Sequence, residues 1–171
     1  KQFYANKRDI FQKNYNDFQS SRKVNKKQKD NYISWNQIGD ILIDLKRIAK
    51  NGKQLKDYNN KNIQDFEDYL ILALYYYQPP SRNEYGNVRI IGERAYKRLD
   101  YDDPVKQETN FLVKGKNLRF IFNDYKTDFK YGTRIVHLEP KSKLKGIINK
   151  WLKLNKTPFF LVNKQMKKSV L

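Results

Sequence analysis

Apolar residues along the first thirty positions are sparse but spaced. Phe11, Tyr15 and Phe18 recur at helical intervals, which predicts a short amphipathic helix over residues 9–19. Residues 20–30 have hardly any apolar content and read as a solvated linker. The pattern then sharpens. Ile38, Ile41, Leu42, Leu45 and Ile48 fall on one stripe and predict a helix over 34–50. Ser34 with Gln37 three residues on is a capping-box signature. Lys46, Arg47 and Lys50 suit the negative end of the helix dipole, and Gly52 supplies the stop. Residues 53–61 form a polar connector. A further helix is predicted over 62–77, capped by Asn62, with Asp65, Glu67 and Asp68 in its early turns. From Tyr69 onward it is apolar nearly all round, which implies burial on several sides.

Beyond the two prolines at 79 and 80 the rhythm shortens. Residues 88–91 read as a strand, and the charged stretch 93–106 reads as loop. Segments 110–113 and 117–122 flank Lys114-Gly115-Lys116 and predict a β-hairpin. A third strand is expected over 133–138, after a loop closed by Tyr131-Gly132 and before Pro140. Ser142 then caps a helix whose stripe is Leu144, Ile147, Ile148, Trp151 and Leu152. The short apolar run 158–162 precedes a basic tail. Trp35, Trp151 and Tyr75-Tyr76-Tyr77 read as core residues, and His137 reads as a strand residue with a satisfied hydrogen bond. The expected fold is α+β and mainly helical. A basic helical region, 1–58, precedes a region, 59–171, built on a three-stranded antiparallel sheet.

Composition constrains the partners. The 171 residues allow one ordinary domain or two small ones. Mean hydropathy is −0.94, but the apolar residues are clustered, and 13 Tyr, 10 Phe and 2 Trp supply bulk for a core. The longest apolar run, 69–77, is far too short to span a bilayer, so no membrane partner is expected. The absence of cysteine excludes disulfides and thiolate metal sites. Asp100, Asp102 and Asp103 lack metal-loop spacing and read as solvated, so neither metal nor cofactor is expected. The net charge of +18 is unevenly placed. Residues 1–30 carry nine basic and three acidic side chains, residues 31–109 twelve of each, and residues 110–171 fifteen and three. Two basic ends around a neutral middle suit a polyanion contacted from two sides.

Two segments carry candidate chemistry. Gln78-Pro79-Pro80-Ser81-Arg82-Asn83-Glu84-Tyr85 follows an apolar helix that proline cannot continue. Phe120-Ile121-Phe122-Asn123-Asp124-Tyr125-Lys126-Thr127 ends a strand-like run. Each delivers a cation to a point fixed by an apolar element, and two cations that only donate hydrogen bonds suit a phosphate. Arg82 capping its helix or pairing with a carboxylate, and Lys126 as a solvated loop lysine, are the structural alternatives.

The order of these segments resembles the first part of the catalytic domain of the tyrosine recombinase (phage integrase) family, closest to integrase-like proteins of large DNA viruses and mobile elements. Pro79 to Tyr85, Phe122 to Thr127 and Tyr131-Gly132 carry the likeness, which covers about residues 31–162. The resemblance implies that Arg82 contacts the scissile phosphate and that Lys126 protonates the leaving oxygen as a general acid. Glu84 stands one place earlier than the acidic residue of the common phage pattern. The family's His-x-x-Arg box and tyrosine nucleophile are not matched. His137 has Pro140 at +3, so the chain is expected to end before that box and to be inactive alone. The expected partner is double-stranded DNA, bound as a homo-oligomer, inside the cell wherever DNA is present (nucleus, viral factory or cytoplasm). Lys114, Lys116, Arg119, Lys130, Arg134, Arg22, Lys23, Lys26 and Lys27 are the candidate DNA contacts. The alternative is a non-catalytic nucleic-acid-binding or virion-associated structural protein with this fold, whose partners are virion or capsid components.

Overall fold

The structure, a computed structural model, describes residues 2–21, 24–51, 60–78, 83–100 and 102–163. Arg22, Lys23, Gly52, Pro79, Pro80, Ser81 and Arg82 lie outside the described residues, as does most of the basic tail. Residues 1–37 and 38–171 form two compact units.

The first unit holds α1 (Gln2–Ser20) and α2 (Lys26–Asp30), so the helix expected over 9–19 is a full 19 residues long. Part of the expected linker is one helical turn rather than open chain. Trp35 is 55% exposed and is not the core anchor its size suggested. Ser34 and Gln37 cap α3 (Trp35–Asn51) reciprocally. The Ser34 amide donates to Gln37 Oε1 at 2.8 Å, and the Gln37 amide donates to Ser34 Oγ at 3.3 Å.

The second unit is α+β. Leu42 and Ala49 of α3 join a core with α4 (Asn60–Tyr77). The latter begins before Asn62, which therefore sits inside the helix rather than capping it. Ile63, Phe66, Glu67, Leu70, Ala73 and Leu74 are its buried stripe, and their spacing is that of one helix face. A 3-10 turn over Asn83–Asn87 leads into β1 (Val88–Gly92). The stretch read as loop contains two short helices, α5 (Glu93–Arg98) and α6 (Pro104–Gln107). Asp103 caps α6 by accepting from the Val105 amide at 2.8 Å, with Pro104 at the first turn. Then come β2 (Asn110–Lys114), β3 (Arg119–Phe122), α7 (Asp128–Tyr131), β4 (Arg134–His137) and α8 (Lys143–Leu154).

The sheet corrects the expectation of three antiparallel strands. It is four-stranded and mixed, in the order β1-β2-β3-β4, with β1 parallel to β2 in the register Val88↔Asn110. The reason is the stretch between them. By folding into α5 and α6 it brings the chain back to the end where β1 began, and a parallel pair requires such a return. Strand alternation then divides the side chains. Leu112, Phe120 and Phe122 face the main core with α4 and α8, while Phe111, Val113 and Ile121 face Ile91, Tyr96 and Leu99. The outer edge of β1 is covered by residues 158–160. The Ile90 amide donates to Pro158 O, and the Phe160 amide to Val88 O, each at 2.8 Å.

Ser142 caps α8 as expected, accepting from the Lys145 amide at 3.2 Å. Trp151 stacks on Phe66 at 6.1 Å between centroids and donates Nε1–H to Phe160 O at 2.6 Å. Leu144, Ile147 and Ile148 complete the buried face. The reading of Glu67 as a charge in the early turns of α4 is overturned, because its position falls on the inward stripe and it is only 4% exposed. Its Oε1 accepts from the Val162 amide at 2.6 Å and its Oε2 from Gln64 Nε2 at 2.8 Å, which ties the 158–162 segment to α4. Burial pushes the Glu67 carboxyl up to about 7, outweighing those two hydrogen bonds.

The folded protein therefore holds this proton more tightly than the unfolded chain. The resulting stabilisation is complete below about pH 4.5 and is lost as pH rises through about 7. Its full size is roughly 3 kcal/mol. Glu67→Gln keeps the shape and one acceptor oxygen and removes the titrating proton, so its urea-denaturation stability should fall much less between pH 5 and pH 8 than that of the native chain. Parallel pH curves for the two proteins would contradict this assignment.

Candidate nucleic-acid interface

Among the described residues, the β3–β4 connection is the most elaborately held turn of the second unit. β3 carries Phe120, Ile121 and Phe122 into the core, and the next residues turn back as Asn123-Asp124-Tyr125-Lys126-Thr127. Asn110, at the start of β2 and 1% exposed, secures that turn. Its Oδ1 accepts from the amides of Asn123 and Asp124 at 2.8 and 2.9 Å, and its Nδ2 donates to Asp124 O at 2.8 Å. Asn123 continues the network. Its Nδ2 donates to Lys106 O and Thr109 O at 2.7 and 2.8 Å, and its Oδ1 accepts from Thr133 Oγ1 at 2.9 Å. The Tyr125 hydroxyl donates to Gly132 O at 2.7 Å. Gly132 ends α7 with φ +65°, a conformation glycine adopts without strain.

Lys126 stands exposed on this rigid turn, and no hydrogen bond or ion pair engages it among the described residues. Lys130 is also exposed, its Nζ 5.3 Å from the Tyr131 ring centroid. Arg134, on β4, lies with Cζ 4.6 Å from the Phe122 centroid and 5.5 Å from that of Tyr125. Its charge is held against two aromatic faces beside the same turn.

The other expected contacts are placed elsewhere. Antiparallel neighbours turn at opposite ends of a sheet, so Lys114 and Lys116, both exposed at the β2–β3 turn, are remote from Lys126 by the length of a strand, roughly 15 Å. Arg119 is only 15% exposed and forms a bidentate pair with Glu93, at 2.7 and 3.2 Å. That hydrogen bonding, aided by the guanidinium charge, holds the Glu93 carboxyl below its ordinary range. An arginine so neutralised is not a ready phosphate contact. Lys26 and Lys27 are exposed on α2 of the first unit. His137 is exposed at the end of β4, opposite Arg119 in the register.

The parallel strand decides which segments share an end. β1 starts beside the start of β2, at the end where Asn110 grips Asn123 and Asp124. The residues entering β1 are therefore neighbours of the turn leaving β3. Tyr85 joins them. It is fully buried, with its ring centroid 5.3 Å from that of Phe120 and 5.7 Å from that of Phe122, and its hydroxyl accepts from Gln78 Nε2. Gln78, the last described residue before the Pro-Pro-Ser-Arg run, is thus fastened to Tyr85, three positions beyond the run, and Tyr85 is packed on β3. Asn87 and Asp124 line one cavity of about 460 Å³, together with Arg89, Thr109 and Phe159.

Asn110 and Asn123 were missed as organising residues by sequence reading. Their one signal is an Asn at a strand start and an Asn-Asp pair after another strand, both common turn formers. No family model, curated protein or solved structure matches this chain.

Proposed function

We propose that this chain is the DNA-engaging part of a tyrosine-recombinase-like protein, with Arg82 and Lys126 addressing one backbone phosphate. The observation that carries the reading is the shared sheet end. The strand that follows Arg82 is parallel to β2, so Asn83–Asn87 and the Lys126 turn lie at the same end of the sheet. Tyr85 packed on Phe120 and Phe122 supports it further.

In this reading Arg82 donates to the non-bridging phosphoryl oxygens and neutralises the charge that gathers on them. Lys126, on a turn fixed by two asparagines, approaches the bridging oxygen and can give it a proton as it leaves. Lys130 and Arg134, beside the same turn, add positive charge for neighbouring phosphates. Lys114 and Lys116, at the far end of the sheet, contact another part of the duplex backbone. Arg119 is left out because Glu93 occupies it. Strand cleavage further requires a histidine, a second arginine and a nucleophilic tyrosine in the positions the family uses, and these are not matched within the 171 residues. The direct test is titration of a duplex DNA probe with the full chain across a range of salt concentrations. Binding that weakens steeply with salt supports the reading, and the absence of duplex binding at low salt removes it.

A further inference from the structure

We infer that Phe129 is a base-stacking wedge, and that the α7 turn engages a DNA base that is unpaired or unstacked. This rests on the DNA reading above and adds a contact that the cations do not supply.

Phe129 is 87% exposed, the most exposed large apolar side chain among the described residues. Isolated exposed apolar residues are ordinary. This one differs in its mounting. The turn that displays it is secured by both side-chain groups of Asn110 and of Asn123, by Tyr125 to Gly132, and by Thr133 to Asn123. A ring presented on so rigid a support loses little further freedom when it is bound. Tyr131, also exposed, stands two positions on. Lys126 and Lys130 flank Phe129 along the chain, and both are exposed.

Exposed cations on the same turn as a projecting aromatic ring match the chemistry of a nucleotide. The phosphates are anionic, and every base offers a π-face. Apolar side chains also wedge between base steps and unstack them. Next to the ring opens a cavity of about 540 Å³, lined by Phe129 with Tyr96, Lys106, Asn123 and Thr133, and by the Asp128 carboxylate, which can accept from an exocyclic amine of a base. Its size suits a small planar ligand, and its walls are partly aromatic and partly polar. A base displaced by the wedge has room there.

The test compares two DNA duplexes of the same sequence, one fully paired and one with a single-nucleotide bulge, each titrated with the full chain at low salt. The native chain should prefer the bulged duplex. Phe129→Ala should lose about five- to a hundredfold in affinity for the bulged duplex. Its affinity for the paired duplex should stay within about twofold, since the cations are retained. Phe129→Trp should keep the preference. The side chain is so exposed that these variants should fold normally, and matching melting curves check this. Equal effects of Phe129→Ala on both duplexes, or no effect on either, would overturn the inference while leaving the DNA reading intact. So would a change of oligomeric state with DNA binding unaltered, which would assign the ring to a second copy of this chain. Failure of the native chain to bind either duplex would overturn the inference and the DNA reading together.

Discussion

Duplex DNA should release this chain over a narrow range of salt. Each phosphate neutralised by a lysine or arginine frees condensed counterions, so log affinity falls linearly with log salt, by about 0.9 per phosphate. Five contacts give a slope of roughly −4 to −5, and a fall of about 250- to 1000-fold between 50 and 200 mM salt. The number five is conservative against a net charge of +18. Lys114, Lys116, Lys126 and Lys130 are exposed in the second unit, and Lys26 and Lys27 in the first. Arg119 contributes nothing to the slope in this account, because its guanidinium is paired with Glu93. Fluorescence anisotropy with a short labelled duplex measures the slope. A flat response between low and moderate salt would exclude backbone contact as the basis of binding.

Asn110→Ala should be the most damaging small substitution at the candidate site. Three backbone groups lose their partner at once, namely the amides of Asn123 and Asp124 and the carbonyl of Asp124. A buried group left unsatisfied costs about 1–3 kcal/mol, and partial relaxation toward water brings the total to roughly 3–4 kcal/mol. For a chain of this size that corresponds to a fall in Tm of about 10 °C. The damage should be local in character. Amide hydrogen exchange should quicken across 123–133 while Leu112 and Phe120 remain protected. Duplex affinity should drop as well, since the turn that presents Lys126 and Phe129 is no longer fixed. An Asn110→Ala protein with native melting and native exchange at the turn would show that the asparagine network does not hold this site.

What could be read from the sequence was mostly local. The Ser34–Gln37 box and the Ser142 cap each depend on residues three apart, and both form as expected. The buried face of α8 follows from spacing alone. The main core side of the hairpin does too, because strand periodicity separates Phe120 and Phe122 from Ile121. The failures share a non-local cause. Nothing near residues 88–91 indicates that they pair parallel with a strand some twenty positions later. That pairing depends on α5 and α6, whose charged sequence resembles loop because their outer faces are solvated. Glu67 lies on the inward stripe of α4, but the group that satisfies it there, the Val162 amide, is 95 positions away and invisible to local reading. Trp35 is exposed despite its size, and apolarity alone does not decide which aromatic a fold encloses. At the site itself the sequence singled out Lys126, but not the asparagines that hold its turn, nor Phe129 beside it. It also placed Lys114 and Lys116 in the same group as Lys130 and Arg134, although a meander separates successive turns by the length of the sheet.

The central claim is that Arg82 and Lys126 act on one phosphate, and a double-mutant cycle tests it most directly. Arg82→Ala, Lys126→Ala and the double variant are titrated against the same duplex at the same low salt. Cations that share a phosphate should not add independently. The account predicts a coupling energy above about 0.5 kcal/mol, with the double variant losing less than the sum of the single losses. Losses that add to within about 0.3 kcal/mol would place the two side chains on separate phosphates, and would contradict the shared site.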